Sequence, residues 1–412
     1  MLRNYIKIAY RVFLRRKFFT FISLFAISFT LIVLMLATAL LDHFFGPLPP
    51  ETKLDRTLGI YQIRFEGPNW ASTGAAGYGF LDRYARDLPN VEKVSIFSVP
   101  SSVNSYWNGD RIQSYLKRTD GEFWQILDFH FLEGGPFNGE DEANANFVAV
   151  INEATRGKFF GSEPAVGKTI EADGQRFRVV GVVANVPILR LVSFSDIWVP
   201  ISTQKTNAYR TQLYGGFHAL ILARSAADFQ TIKDEYRSRL ARMEFPDARQ
   251  YSRATGEAET LFEFASRAVS PFQDDNHPVS LLIGILVLMV LFMLLPTVNL
   301  INLNVSRIME RAGEIGVRKA FGASSLTLIG QFVVENMLLT LIGGVAGFVG
   351  SYLVLEAITA GGVIPYAEFH LNYRIFLYAL GLAVFFGLFS GVYPAWKMSR
   401  LHPVQALQGG VR

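Results

Sequence analysis

The sequence predicts a membrane protein with four transmembrane α-helices, one N-terminal and three C-terminal, and a large external α+β domain of two lobes. Apolar runs long enough to cross a bilayer occur once near the start of the chain and three times near its end. Lys and Arg are concentrated beside those runs. The polar stretch between the first two runs shows the alternation of β-strands and the capping signals of helices.

The four apolar runs define the predicted spans. Residues 18–41 contain no Asp, Glu, Lys or Arg, and their length exceeds the ~20 residues that a hydrocarbon core of ~30 Å requires. Residues 279–304, 326–355 and 375–396 form the other runs, with Glu335 as their single acid. An acid inside a span is a functional candidate by default, but a structural role is the favoured interpretation of Glu335.

The basic residues predict the orientation of the spans, because Lys and Arg in short loops stay on the cytoplasmic side. The N-terminal segment 1–17 carries six bases and no acid, and segments 305–325 and 397–412 are also basic. The loop 356–374 instead offers two acids before its first base. We therefore expect both termini in the cytoplasm and residues 42–278 outside the membrane.

A cleaved secretory signal peptide is the alternative interpretation of the first run. Ala37, Thr38 and Ala39 have the small-x-small spacing of a cleavage site. The apolar run before this site is longer than the ~7–15 residues of a signal peptide's apolar region. We therefore predict an uncleaved membrane anchor.

The charge of the chain divides between its two predicted compartments. The net charge of +4 alone would suggest a nucleic-acid partner. Residues 42–278, however, carry 25 Lys and Arg against 30 Asp and Glu, whereas all other residues carry 14 against 5. The basic excess therefore orients the chain and attracts anionic membrane lipid, and no nucleic-acid partner is expected. Because the chain has no cysteine, the external domain needs a core of its own.

The external segment predicts a mixture of strands and helices. Residues 168–183 predict a hairpin, because two strand-like stretches flank Ala172, Asp173 and Gly174, and glycine supplies the positive φ of a tight turn. Ser225 is a predicted N-cap. Further strands are predicted at residues 61–65, 91–99, 147–151, 197–199 and 218–223, and helices at 153–160, ending at Gly161, and at 226–243.

Residues 161–169 read GSEPAVGKT and imitate a phosphate-binding loop. Five residues separate Gly161 from Gly167, one more than the P-loop spacing allows, and a predicted hairpin follows instead of a helix. The six histidines form no i, i+4 pair and no HExxH motif, and no GxSxG motif occurs. The sequence therefore predicts no nucleotide, metal or catalytic site on this chain.

The loop 305–325 is short, highly charged and joined to a predicted membrane helix at each end. Glu310, Glu314 and Arg318 fall at i, i+4 and i+8 on one helical face, with the acid before the base. On spacing alone, this pattern indicates a solvated helix beside the membrane.

Three parts of the chain resemble one protein family. The first is Glu310-Arg-Ala-Gly-Glu-Ile-Gly-Val-Arg-Lys-Ala-Phe-Gly-Ala-Ser324 with Gln331-Phe-Val-Val-Glu-Asn336. The second is the tail Tyr393-Pro-Ala-Trp-Lys-Met-Ser-Arg-Leu-His-Pro-Val-Gln-Ala-Leu407. The third is external: Phe159-Phe-Gly161, Pro164, Val166-Gly-Lys-Thr-Ile170 and Phe177-Arg-Val-Val-Gly-Val182. With the one-plus-three order of spans, nearly the whole chain resembles the MacB/FtsX family of ABC-transporter permeases.

The resemblance implies a permease of the bacterial inner membrane with residues 42–278 as a periplasmic core domain. A separate cytoplasmic ABC ATPase, which binds ATP and Mg²⁺, would engage the loop as a coupling helix. No cofactor and no catalytic activity are expected on this chain, which shows no ATPase domain, in contrast to MacB itself. The residues implied in ATPase coupling are Arg307, Glu310, Arg311, Glu314, Ile315, Arg318 and Lys319.

The implied function is to transmit ATP-driven motion to the periplasmic domain and so drive export of periplasmic or membrane-derived substrate. The implied partners are a second copy or a second, similar permease, and a periplasmic adaptor with an outer-membrane channel. Lipoprotein release is an alternative, although no match to the N-terminal sequences of lipoprotein-extracting permeases is found. FtsX-like signalling to cell-wall hydrolases without transport is the alternative from another class, and the size of the external segment favours the MacB-like interpretation weakly.

The predicted spans also contain residues suited to close packing and bending. Pro296 removes one helical hydrogen bond and should bend the second span. Small-xxx-small faces allow helices to approach closely and more often serve packing than ligand binding. The glycines of these faces are Gly343, Gly347, Gly350, Gly387 and Gly391.

Overall fold

The structure is a computed structural model that describes residues 2–107, 110–245, 249–269, 278–310, 317, 321 and 324–399. The chain forms two compact units. A helical unit contains Met1–Leu41, Leu282–Val363 and Glu368–Arg412, and an external unit contains Asp42–Leu281 with Ile364–Ala367. The external unit therefore includes four residues from the loop after the predicted third span.

Both units contain α-helices. In chain order, the α-helices of the described residues are α1 (Leu2–Arg15), α2 (Lys17–Phe45), α3 (Tyr78–Tyr84), α4 (Phe123–Ile126), α5 (Gly139–Ala143), α6 (Glu153–Phe160), α7 (Phe229–Ala241), α8 (Leu261–Val269), α9 (Pro278–Glu310), α10 (Ser325–Ala360) and α11 (Tyr373–Ser399). Short 3₁₀ turns cover Leu54–Arg56, Ile201–Thr203, Asn207–Arg210 and Ala226–Asp228.

Two helices in the described part of the chain are long and apolar enough to cross a membrane, judged on length and composition: α2 and residues Ile329–Ala360 of α10. Shorter apolar stretches occupy Pro278–Phe292 of α9 and Tyr373–Phe385 of α11. The count of four spans therefore stays a prediction.

Every β-strand in the described part of the chain lies in the external unit. Those of the described residues are β1 (Thr57–Ile60), β2 (Ile63–Gly67), β3 (Trp70–Gly74), β4 (Val91–Ser98), β5 (Ser101–Trp107), β6 (Asp110–Thr119), β7 (Phe131–Gly134), β8 (Val148–Asn152), β9 (Thr169–Ala172), β10 (Gln175–Val183), β11 (Ile197–Pro200), β12 (Phe217–Ala223) and β13 (Arg253–Gly256).

Ten of these strands form one mixed sheet. Its order is β1-β12-β4-β6-β11-β8-β10-β7, with β5 paired to β6 and β9 paired to β10. β10 runs parallel to β8, and β11 runs parallel to β6. A parallel pair needs a crossover connection, which α6 and β9 supply between β8 and β10. A second, antiparallel sheet has the order β13-β2-β3, so the external unit is α+β with two sheets.

The central strand β8 shows how the main sheet is covered. All five of its residues are buried. Because side chains alternate across a strand, Val148 and Val150 join one core with Trp198, while Ala149 and Ile151 join the core on the opposite face. Burial on both faces explains why this strand is a continuous apolar run in the sequence.

Helix α6 agrees with its prediction at both ends. Asn152 Oδ1 accepts a hydrogen bond from Thr155 N at 2.8 Å and so caps the N-terminus. Gly161 follows the last helical residue with φ of 62°, a conformation that glycine adopts without steric cost. The capping residues thus confirm the helix predicted at 153–160.

The β9–β10 hairpin also agrees with its prediction. Asp173 and Gly174 have φ angles of 54° and 70°, as the two central residues of a tight hairpin turn require. Because strand β9 and not a helix follows Gly167, residues 161–169 have the backbone context of a hairpin rather than a phosphate-binding loop, as predicted.

Two predicted boundaries were wrong. The strand predicted at 61–65 lies at Ile63–Gly67, because Thr57–Ile60 already forms a strand of the main sheet, paired with β12. The helix predicted at 226–243 begins as a 3₁₀ turn and is α-helical from Phe229 to Ala241. Ser225 is nevertheless the N-cap of this segment, since its Oγ accepts a hydrogen bond from Ala227 N at 3.2 Å.

Gly77, which precedes α3, offers a test of the packing in the external unit. Its N donates to Leu213 O at 2.8 Å, and a Cβ added here would lie 1.9 Å from the carbonyl oxygen of Gln212. Since that neighbour is backbone, Gly77→Ala should destabilise the protein by about 1–3 kcal/mol. The measurement is the thermal-unfolding midpoint of the full chain in detergent.

The control is Gly157→Ala in α6, where a Cβ meets nothing within 4 Å. Alanine favours a helix over glycine, so this variant should unfold at or above the wild-type temperature. Equal midpoints for the two variants would contradict the close packing at Gly77.

Candidate functional site

The charged segment after α9 is the candidate coupling site. α9 continues to Glu310, so Arg307 and Glu310 lie in its last turn. α10 begins after Ser324, whose Oγ accepts a hydrogen bond from Thr327 N at 3.2 Å. The segment between is therefore attached directly to two long helices. The other predicted coupling residues, Arg311, Glu314, Ile315, Arg318 and Lys319, lie outside the described residues.

The glycines of α10 lie in a close contact with α2. A Cβ added at Gly343 would lie 2.8 Å from Ile27, and one at Gly347 would lie 2.9 Å from Leu31. At Gly350 the nearest atom of α2 is 2.5 Å from such a Cβ. These distances leave no room for a side chain, so the backbones approach as small-xxx-small faces allow. The paired residue numbers rise together, so α2 and α10 run in the same direction.

Helix α11 contacts another face of the same stretch of α10. A Cβ added at Gly387 would lie 2.6 Å from Thr340 Oγ1, and one at Gly344 would lie 2.6 Å from Leu380. Here the numbers rise on one helix as they fall on the other, so α10 and α11 are antiparallel. Consecutive spans that cross a bilayer need such an alternation.

Two further predictions for the spans concern Pro296 and Gly391, where the structure describes the helix but not the side-chain contacts. Gly391 lies within α11, and Pro296 lies within α9, which is helical on both sides of it. The close packing at Gly391 and the bend at Pro296 stay predictions.

Helix α10 also carries buried polar side chains. Glu335 is 4% exposed, and Gln331, one turn earlier, is 5% exposed. Thr340 Oγ1 donates to Asn336 O at 3.0 Å, a bond from a side chain to its own helix that satisfies the hydroxyl without a partner helix. Glu335 is thus enclosed within the helical unit, and its structural role stays a prediction.

In the external unit, a buried ion pair holds the chain that follows α2. Arg190 Nη1 lies 3.4 Å from Glu51 Oε2, and both side chains are 1% exposed. The same nitrogen donates to Gly46 O at 2.8 Å. Ser193 donates to Glu51 Oε1 from its backbone N at 3.1 Å and from its Oγ at 2.6 Å. Because removal of one partner would strand a buried charge, this network fixes residues 46–51 against residues 190–193.

Lys117 of β6 is bonded to the segment 190–193. Its side chain is fully buried, and Nζ donates to Leu191 O at 3.3 Å and to Val192 O. Nζ also lies 5.2 Å from the centroid of the Phe97 ring, within range of a cation–π contact. Burial lowers the pKa of Lys117 to about 7, and the negative charge of Glu51 opposes part of this change.

Sequence reasoning missed Glu51, Lys117 and Arg190. Isolated charges in a polar stretch normally lie on the surface, and nothing in their spacing marks these three as buried. Inside the fold, Lys117 and Arg190 each donate to backbone carbonyls. Glu51 pairs with Arg190 and accepts from Ser193. The arrangement therefore suits a mechanical role, in which it fixes the position of the chain where it joins the external unit.

Replacement of Lys117 tests its burial. Between its folded pKa of about 7 and its ordinary value of 10.5, the unfolded chain binds a proton that the folded chain does not, so this lysine makes stability rise with pH across that window. Lys117→Met removes the charge and should stabilise the protein at pH 6 by about 2–5 kcal/mol. The gain should shrink at pH 10, as measured by thermal unfolding of the full chain in detergent.

Lys158→Met serves as the control, because Lys158 is exposed on α6. Its unfolding midpoint should follow that of the wild type at both pH values. If the midpoint of Lys117→Met relative to wild type were the same at pH 6 and pH 10, Lys117 would not titrate in this window.

The α2–α10 contact gives a second test. Gly347→Val would push a side chain into Leu31 and should destabilise the helical unit by about 1–3 kcal/mol. Gly381→Val, at a glycine of α11 where a Cβ meets nothing within 4 Å, is the matched control. Thermal unfolding in detergent should show a lower midpoint for Gly347→Val alone, and similar midpoints would argue against the close contact.

Two family profiles match the chain in sequence order. The MacB-like periplasmic core domain matches residues 20–239, and the FtsX-like permease C-terminal domain matches residues 279–403. An α+β unit inserted between a first long helix and a C-terminal helical set, with both profiles in that order, defines a permease of the ABC-transporter class. The chain belongs to the MacB/FtsX family of these permeases, which confirms the resemblance found in its sequence. The family consists of inner-membrane permeases with a periplasmic domain, which here is the external unit.

Curated relatives show the same similarity. The chain is 28% identical over 324 residues to the pyoverdine export ATP-binding/permease protein PvdT of Pseudomonas aeruginosa. The aligned region covers 78% of this chain and 46% of PvdT. It is 26% identical over 292 residues to the macrolide export ATP-binding/permease protein MacB of Pasteurella multocida. This second aligned region covers 69% of this chain and 41% of MacB. The matched region is thus less than half of each relative.

A solved structure, the periplasmic region of MacB from Actinobacillus actinomycetemcomitans, aligns with 44% of this chain and 83% of its own. The aligned residues are 18% identical and the TM-score is 0.32.

Proposed function

We propose that this chain is the permease subunit of a MacB-like ABC transporter. It transmits ATP-driven motion from a separate cytoplasmic ATPase to its periplasmic domain and so drives export of periplasmic or membrane-derived substrate. The observation that carries the proposal is the position of the charged coupling segment, residues 311–323, between the end of α9 and the start of α10. A push on this segment acts on two long helices at once.

Two helices, α2 and α9, each contain residues of both units, which supports transmission of motion along them. α9 begins at Pro278, within the external unit, and ends at Glu310, next to the coupling segment. α2 likewise extends from Lys17 to Phe45, past the start of the external unit at Asp42. A rigid helix of n residues is about 1.5n Å long, so a tilt at one end of either helix is transmitted to the other end.

The proposed assembly is a dimer in the bacterial inner membrane, with both termini in the cytoplasm. The second subunit is a copy of this chain or a similar permease, and ATP with Mg²⁺ binds to the partner ATPase. A periplasmic adaptor and an outer-membrane channel complete the export route. The proposed cargo is a hydrophobic small molecule, peptide or lipidated compound that has already reached the outer side of the inner membrane.

Partner identification tests the assembly. The chain is purified from its native membrane in mild detergent, and co-purified proteins are identified by mass spectrometry. Recovery of an ABC ATPase with an adaptor or outer-membrane channel supports export. An ATPase with a cell-wall hydrolase indicates signalling, and a lipoprotein carrier indicates lipoprotein release. Absence of any ATPase, under conditions that preserve a control ABC complex, would overturn the proposal.

The coupling segment gives a sharper prediction. The double variant Glu314→Ala/Arg318→Ala should leave ATP hydrolysis by the purified complex near wild type and reduce ATP-dependent export about tenfold, the size of a typical coupling between sites. The two activities are measured in the same proteoliposomes. The expected result is a lower ratio of export to ATP hydrolysed.

The control is Glu356→Ala/Arg374→Ala, which removes one acid and one base from exposed positions near the end of α10 and the start of α11. It makes the same change in charge away from the coupling segment. Unchanged coupling in the Glu314→Ala/Arg318→Ala variant would remove residues 311–323 from the proposed path.

A further inference from the structure

Residues 364–367 connect two helices of the helical unit but belong to the external unit. The chain leaves the helical unit after Val363, contributes Ile364–Ala367 to the external unit and returns at Glu368. Ala367 N donates to Ile364 O at 3.1 Å, which closes these residues into a turn. We call Ile364–Ala367 the docked turn.

Two hydrogen bonds fasten the docked turn. Tyr366 Oη donates to Asp196 Oδ1 at 3.1 Å, and Ile188 N donates to Pro365 O at 3.3 Å. The side chains of Tyr366 and Ile188 also pack against the apolar core that contains Trp198. The turn is therefore held by a side-chain bond, a backbone bond and apolar contact together.

The acceptor of the tyrosine hydroxyl is itself fixed by the main sheet. Asp196, only 4% exposed, accepts from Tyr115 N of β6 at 2.8 Å on Oδ2 and from Asn152 Nδ2 of β8 at 3.0 Å on Oδ1. Burial, together with the charge of Asp196, raises the pKa of Tyr366 to about 12, so the phenol keeps its proton and remains a donor. The carboxylate thus joins the docked turn to two central strands.

The backbone of Tyr366 indicates that docking determines its conformation. Its φ is 61°, in the left-handed region that bulky residues seldom occupy. Such a conformation persists where the surrounding contacts impose it, and it is typical of positions with a functional constraint. The bonds of Tyr366 and Ile188 are those contacts.

We propose that Tyr366 is a positioning residue that couples α10 and α11 to the external unit, so that movement of these two helices and of the main sheet is transmitted through the docked turn. The turn is a second mechanical connection, additional to the continuous helices α2 and α9. It rests on the proposed function for its role in transport, but the connection itself can be tested without ATPase or cargo.

Hydrogen exchange tests whether Tyr366 holds the turn. In the full chain in lipid nanodiscs, Tyr366→Ala should speed exchange of the Ile188 amide about tenfold or more, since that amide loses its partner when the turn detaches. Tyr366→Phe keeps the ring but removes the hydroxyl bond to a carboxylate, and should give an intermediate increase. Glu368→Ala, an exposed neighbour, is the control and should exchange like wild type.

Pulsed electron paramagnetic resonance tests the coupling itself. Because the chain has no cysteine, labels can be placed at Gln230→Cys on α7 and Tyr378→Cys on α11, both exposed positions, with unlabelled chain in excess to isolate one pair. A coupled connection gives a narrow distance distribution. Tyr366→Ala should broaden it about twofold, Tyr366→Phe should broaden it less, and Glu368→Ala should leave it unchanged.

Wild-type exchange and an unchanged distance distribution in Tyr366→Ala would overturn the inference. If Tyr366→Ala failed to fold, the same two measurements on Tyr366→Phe would decide, because a ring that only fills the core would make tyrosine and phenylalanine equivalent. In the complete transporter, Tyr366→Phe should lower export per ATP hydrolysed with ATP hydrolysis retained. Absence of an ATPase among the co-purified proteins, together with broadening in Tyr366→Phe, would reject the proposed function and keep the connection.

Discussion

Backbone polar groups in hydrocarbon must find hydrogen-bond partners within the protein, and an α-helix supplies them from its own segment. This requirement divides the chain. The helical unit is built from long helices, each of which satisfies its own backbone, while every described strand lies in the external unit. Backbone groups are left unsatisfied at helix ends, where the last carbonyls have no partner within the helix. At the end of α2, the buried guanidinium of Arg190 donates to Gly46 O, and a cation is favourable near a helix C-terminus. The ion pair with Glu51 therefore lies where the helical backbone needs it.

The parts of the fold that the sequence predicted are those with local signals. β8 is a continuous apolar run, α6 is bounded by Asn152 and Gly161, and the β9–β10 turn contains Asp173 and Gly174. Each of these patterns can be recognised without knowing what the segment contacts.

The missed strands lack such signals. β6 carries Lys117 and Arg118, charges that normally mark a surface segment, yet both are buried. β3 is exposed along almost its whole length and owes its conformation to pairing with β2. The candidate site divides in the same way: the charged coupling segment is contiguous in sequence, but Glu51 and Arg190 are 139 residues apart, and Tyr366 and Asp196 are 170 apart. No spacing rule brings such partners together before the fold is known.

The glycines of α10 limit the kinds of movement open to the helical unit. Gly343 and Gly347 each receive a large side chain of α2, Ile27 and Leu31, and Leu339, 2% exposed, lies one turn before the first of them. An axial displacement of α2 by one turn, about 5.4 Å, toward the start of α10 would move Ile27 from Gly343 onto that leucine. A tilt of α2 about this contact leaves Ile27 at Gly343 and Leu31 at Gly347. The contact therefore favours a change in the angle between α2 and α10 over an axial displacement of one helix along the other.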